Sequence, residues 1–183
     1  MDVKLLSGAL GAEINGIDLK DASKKNFKII NGLLLEHKVI FFRNQKITPE
    51  EQLALAKRFG PLETHVYVKG RDKYPKIVRI IKDPNEKNQW GENWHSDVSY
   101  NIKPTKAVIL RSIKIPPVGG DTMFSNMELA WETLDKSIKE KIKDIVYNKD
   151  FLTACLYCNG RDYTVAEIKS AQQTRKPLQY ERI

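Results

Sequence analysis

The chain has 183 residues, and a mass of 21.1 kDa corresponds to one ordinary domain or one domain with a short appendage. Hydrophobic residues make up 41% and charged residues 30%, which allows a buried core and excludes the disordered class. The net charge of +8 comes mainly from lysines scattered among acidic residues, a pattern that favours a solvated surface over a dense basic patch. No apolar run reaches the roughly 18 residues of a membrane span, and the first residues do not resemble a secretory signal.

The first forty residues predict short strands followed by a helix. Apolar runs broken by glycines predict strands and turns within residues 3–19. Apolar residues at helical spacing predict an amphipathic helix over residues 23–38. The β-branched and aromatic residues at 39–42 then predict a short buried strand.

The most definite local signal is the start of a second helix. Thr48 can cap it, Pro49 suits its first turn, and Glu51 can complete a capping box. Gly60 and Pro61 end it, because glycine accepts the left-handed conformation of a helix end and proline cannot continue a helix.

The remaining pattern predicts more strands than helices. Apolar runs predict strands at residues 77–81, 107–115 and 123–124, with a turn at 116–120 before the last of them. Asn126 predicts the cap of a helix, and residues 137–146 predict its continuation. The predicted fold class is therefore mainly β with flanking helices, either α+β or all-β with added helices.

The two cysteines, Cys155 and Cys158, form a single C-x-x-C motif. No second pair or histidine follows them, so this motif alone cannot complete a tetrahedral zinc site. A thiol pair without a disulfide framework fits a reducing compartment, and we expect a cytoplasmic location.

His95 and Asp97 are the sharpest candidate for chemistry. In an extended segment, residues two apart point to the same side, so an imidazole and a carboxylate would converge. These are two of the three ligands of a two-histidine, one-carboxylate site for non-haem Fe(II). A His–Asp pair on the surface is the alternative.

Several motifs in this order resemble the taurine dioxygenase family of Fe(II)/2-oxoglutarate enzymes. They are residues 11–19, 59–63, 93–99, 104–105 and 119–122. The resemblance covers residues 1–148 as the N-terminal and central part of a dioxygenase domain, and leaves 149–183 as a divergent tail.

The resemblance implies a fold and a set of site residues. The fold would be a double-stranded β-helix, or jelly roll. His95 and Asp97 match the first two iron ligands, and Thr122 matches the threonine that binds a carboxylate of 2-oxoglutarate. His65 matches a sulfonate-contacting position, and Val98 matches a residue that lines the substrate pocket.

The resemblance also implies the reaction and the partners. Fe(II) would be the metal and 2-oxoglutarate the cosubstrate, with O₂ driving decarboxylation to succinate and CO₂ and hydroxylation of a small anionic substrate. For a sulfonate substrate, sulfite would be lost. No nucleic acid or membrane partner is expected, and homo-oligomers are known among such relatives.

The chain also departs from the family's pattern. The family has a distal histidine as third ligand, followed by an arginine, whereas the histidines here are His37, His65 and His95. We therefore expect a C-terminally truncated chain with an incomplete barrel, weak iron binding and little turnover by itself. Two alternatives stay open, namely an inactive remnant of the family and a basic nucleic-acid-binding domain.

Overall fold

The computed structural model describes residues 1–65, 68–81, 94–98 and 104–144. These residues fall into two units. The first unit holds residues 1–61 and 108–144, and the second unit holds the described residues between 62 and 107.

The first unit contains a three-stranded sheet, and its strands confirm those predicted at the start of the chain, although the strand predicted as buried within 39–42 is half-buried. Its strands are β1 (Asp2–Leu5), β2 (Ala12–Asn15) and β3 (Ile40–Phe41), in the order β1-β2-β3. β2 pairs antiparallel with β1 and parallel with β3. Gly11 enters β2 with φ at 92°, a conformation that glycine adopts without a steric penalty.

Two helices follow the predicted bounds closely. α1 (Lys24–His37) begins after Ser23, whose side chain accepts a hydrogen bond from the backbone N–H of Asn26. α2 (Pro49–Phe59) begins after Thr48 with the predicted capping box. Both ends of that box satisfy backbone N–H groups that would otherwise lack a partner at the helix start.

The core of the first unit joins β2 to both helices. The buried cluster consists of Ala12, Ile14, Ile17, Leu19, Ile30, Ile47 and Leu55. The Phe27 and Phe59 rings meet edge to face, with centroids 4.8 Å apart, and link α1 to α2. The Gln45 side chain accepts a hydrogen bond from the Leu19 N–H and donates one to the Ile17 carbonyl, so the backbone that enters this core keeps its hydrogen bonds.

Two further helices complete the described part of the first unit. α3 (Met127–Thr133) is capped by Asn126, and α4 (Lys136–Ile142) begins after Asp135. The Asn126 side chain also donates to the Ala9 carbonyl at 2.6 Å, which ties the start of α3 to the loop before β2. Within the described residues, no helix has the length and apolar character needed to cross a membrane.

Three strand predictions were wrong. Residues 77–81, 107–115 and 123–124, all of which the structure describes, form no strand. Strand formation requires a neighbouring backbone, and these segments find none among the described residues; their apolar side chains are largely exposed. Among the described residues, the sheet is small, with three strands, and helices accompany it.

Some expectations fall outside the described residues. These are the C-x-x-C motif, the boundary between residues 148 and 149, and the end of the predicted helix at 145–146. Within residues 137–144, the helix type is confirmed up to Ile142, but this is a separate helix, α4, rather than a continuation of α3.

The core assignment predicts unequal costs for the same substitution at two isoleucines. Ile14 is 1% exposed and Ile113, in the same unit, is 68% exposed. We expect Ile14→Ala to lower the free energy of unfolding by about 2–5 kcal/mol, because it leaves a cavity. Ile113→Ala, the control, should change it by about 0.5 kcal/mol or less. Urea denaturation measures both, and equal losses would contradict the core described here.

Candidate functional site

His95 and Asp97 lie on a short segment of the second unit, and the structure brings their side chains together. The imidazole Nε2 of His95 is 3.3 Å from the Oδ1 of Asp97. The expected strand is absent from this segment, since Trp94–Ser96 belong to no element and Asp97 and Val98 form a turn. Convergence of the two side chains is thus confirmed, whereas the secondary structure predicted to cause it was wrong.

The separation of these two atoms fits a pair of adjacent metal ligands. Two ligand atoms bound at about 2.1 Å and at right angles to each other are about 3.0 Å apart. The observed 3.3 Å is close to that value, and both side chains are partly exposed and accessible to an ion. Among the described residues, no group of three histidine, cysteine or acidic side chains forms a complete site.

The turn at Asp97 and Val98 has an unusual backbone. Val98 has φ at 51°, in the left-handed region that β-branched residues rarely adopt. A non-glycine residue in this region costs about 1–2 kcal/mol. Such strain is maintained only where the surrounding structure imposes it, and it is often found at functional sites.

Three hydrogen bonds fix the segment that carries His65, one to its ring and two to the side chains of the preceding residues. Its Nδ1 accepts a hydrogen bond from the backbone N–H of Val68 at 3.1 Å. The adjoining Glu63 accepts a hydrogen bond from the Thr105 hydroxyl at 2.9 Å, and the Lys76 ammonium donates to the Thr64 hydroxyl. The segment that carries His65 is therefore anchored at three successive positions.

Lys76 and Thr105 were not anticipated from the sequence as parts of this region. Each lies at least twelve residues from the segment that it contacts, and no local pattern marks either one. Contacts of that range become visible only once the chain is folded.

Thr122 belongs to the first unit and follows the predicted glycine turn. Gly119 and Gly120 have φ at 79° and 75°, which confirms the turn and explains the need for glycine at both positions. Thr122 is exposed. Thr122 lies in the first unit, whereas His95, Asp97 and Val98 lie in the second unit.

Comparison with known proteins identifies the family to which the chain belongs. A model of the taurine catabolism dioxygenase TauD, TfdA family matches residues 2–178. The chain belongs to this family. The family and the relatives are 2-oxoglutarate-dependent dioxygenases.

Individual relatives agree with the family assignment. The chain is 32% identical to an alkylsulfatase of Acinetobacter baylyi over 185 residues, covering 100% of this chain and 53% of the relative. It is 33% identical to an alpha-ketoglutarate-dependent sulfate ester dioxygenase of Pseudomonas putida, covering 76% of this chain and 46% of the relative. The chain spans about half the length of the curated relatives it matches.

A solved structure supports the fold. The crystal structure of a taurine dioxygenase from Burkholderia xenovorans matches with a TM-score of 0.66 and 34% identity, covering 78% of this chain and 51% of that one. The likeness extends over most of this chain, so its fold is that of part of a taurine dioxygenase-like protein.

The hydrogen bond from Val68 predicts the tautomer of His65. Because Nδ1 accepts the bond, the proton of the neutral ring must be on Nε2. We expect imidazole ¹⁵N chemical shifts, recorded where the ring is neutral, to show an unprotonated Nδ1 and a protonated Nε2. Protonation of the ring would break the bond to Val68. A neutral ring with its proton on Nδ1 would contradict this geometry.

Proposed function

We propose that the protein with this sequence is an Fe(II)/2-oxoglutarate-dependent dioxygenase that hydroxylates a small anionic substrate, with release of succinate and CO₂. The observation that carries the proposal is the approach of His95 Nε2 to Asp97 Oδ1 in a chain of the taurine dioxygenase family. A plain ion pair would show the same distance, and family membership favours the metal-binding interpretation.

His95 and Asp97 would supply two ligands to the metal. Their nitrogen and oxygen atoms are the donor types of a non-haem Fe(II) site with open positions. When bound there, iron would supply open coordination positions for the keto and carboxylate oxygens of 2-oxoglutarate and for O₂. Since no histidine follows Asp97 in the sequence, we leave the third ligand unassigned.

Thr122 is our proposed contact for 2-oxoglutarate. Its hydroxyl can donate a hydrogen bond to a carboxylate. The preceding Gly119 and Gly120 have no side chain, which allows a ligand to approach the backbone closely at this turn.

We propose His65 and Val98 as substrate contacts. The hydrogen bond from the Val68 N–H to Nδ1 orients the His65 ring, and an imidazole N–H is a donor suited to a sulfate or sulfonate oxygen. Val98 would provide an apolar wall beside the metal ligands. The names of two relatives, an alkylsulfatase and a sulfate ester dioxygenase, lead us to propose a sulfate ester or sulfonate as the substrate class.

The finer structural and cellular expectations form part of the same proposal. We propose that the complete domain is a jelly roll, of which residues 1–148 form the N-terminal and central part. This is supported by the likeness to a taurine dioxygenase structure. A cytoplasmic location is proposed on the sequence's two thiols without a disulfide framework.

Turnover of 2-oxoglutarate tests the reaction. We expect the intact protein that carries this sequence to release succinate in the presence of Fe(II), O₂ and an alkyl sulfate. His95→Ala and Asp97→Ala should each lower the rate by more than about 100-fold, because even indirect partners of metal ligands contribute 10- to 100-fold. Coupled detection of succinate measures the rate.

Two matched variants control this experiment. His37→Ala and Asp72→Ala remove the same side chains at positions outside the site and should retain turnover. Iron-dependent turnover that survives loss of His95 and Asp97 would contradict their role. Absence of iron binding in the wild-type protein would favour the inactive remnant of the family, and salt-sensitive binding to random DNA would favour the nucleic-acid alternative.

The substrate role of His65 predicts a change in KM. We expect His65→Ala to raise the KM for an alkyl sulfate about 10- to 100-fold, since a hydrogen bond to a charged group is lost. His65→Gln retains a donor and should recover part of the affinity, while His37→Ala should leave KM unchanged. Steady-state kinetics at saturating 2-oxoglutarate provides the measurement. An unchanged KM in His65→Ala would exclude this contact.

A further inference from the structure

Val98 differs from the other residues with a left-handed backbone. Among the described residues, three that are not glycine have positive φ, namely Lys38, Asn44 and Val98. Lys38 ends α1, where its backbone N–H donates to the Leu34 carbonyl, and asparagine tolerates this region well. Val98 has neither justification, because it lies at no helix end and is β-branched.

The form of the turn indicates how the left-handed backbone of Val98 affects Asp97. Positive φ at the second of two turn residues, with Asp97 not among the positive-φ residues, is the pattern of a type II turn. In such a turn the first residue retains an extended backbone, with ψ at about +120°, and the second position usually takes glycine or asparagine. A turn of this type gives Asp97 an extended backbone, a conformation in which its carboxylate can reach His95 Nε2.

We propose that Val98 is a positioning residue whose left-handed backbone fixes the direction of the Asp97 carboxylate toward His95. With an ordinary negative φ at Val98 this turn would be lost: either the peptide between residues 97 and 98 rotates and Asp97 adopts a helical backbone angle, or, where proline at 98 keeps Asp97 out of that angle, the turn opens. The carboxylate would then leave the position 3.3 Å from His95 Nε2. The inference rests on the proposed metal role of these two side chains.

The strain predicts an unusual order of stabilities at this position. Glycine adopts positive φ freely and alanine does not, and both lack the valine side chain. We expect Val98→Gly to have a folding equilibrium constant about 5- to 30-fold higher than Val98→Ala. Val118 is 88% exposed and is not among the positive-φ residues. There, Val118→Gly should be no more stable than Val118→Ala, which makes the second pair a matched control.

Metal binding tests the positioning role separately from stability. The probe is Co(II), which takes the same nitrogen and oxygen ligands, added to the intact protein and followed by its visible spectrum. We expect Val98→Gly to bind Co(II) within about threefold of wild type with the same spectrum, since glycine populates both signs of φ. Val98→Pro fixes φ near −65°, and it should bind at least about tenfold more weakly with an altered spectrum.

Each outcome supports or overturns the inference. If Val98→Pro binds Co(II) as wild type does, with the same spectrum, the inference is wrong. If Val98→Pro does not fold, the glycine and alanine variants decide, and equal stabilities at position 98 overturn the inference. If Co(II) binding is unaffected by His95→Ala, the proposed metal role fails and this inference fails with it. If His95→Ala abolishes binding but all position 98 variants resemble wild type, only the role of Val98 is lost.

Discussion

The inner face of β2 is the constraint on which the first unit depends. Ala12 and Ile14 are almost completely buried, and among the described strands β2 is the one that pairs on both edges. Its neighbours β1 and β3 satisfy its backbone hydrogen bonds, while the helices cover its apolar side chains. Because the same strand provides both the hydrogen-bonding centre and the deepest side chains, the loss of its inner face would expose α1 and α2 as well.

The described part of the second unit contains polar contacts of short and of long range, the latter between Thr105 and Glu63 and between Lys76 and Thr64. The His95–Asp97 pair spans two residues and the His65–Val68 hydrogen bond spans three. Such contacts can set side-chain directions accurately without a large core. Val98, beside the His95–Asp97 pair, has a strained left-handed backbone, and this strain must be offset by contacts elsewhere in the protein.

The sequence predicted helices better than strands, and the reason is physical. The capping box at Thr48 and Glu51 and the helix end at Gly60 are local signals, because every partner lies within a few residues. A strand depends on another backbone that can be far away in sequence. Residues 107–115 have a suitable composition for a strand, yet they find no pairing partner among the described residues.

For the candidate site, the sequence by itself determined the residue types and their order. His95 and Asp97 were recognisable as ligand-type side chains, and the glycines before Thr122 marked a turn, because these properties depend on chemistry and short spacing. The tertiary structure decided that Asp97 meets His95 within a turn rather than a strand, that Val98 takes a left-handed backbone, and that Lys76 and Thr105 anchor the His65 segment. Backbone angles and distant contacts arise from the balance of the whole fold, which no local stretch of sequence contains.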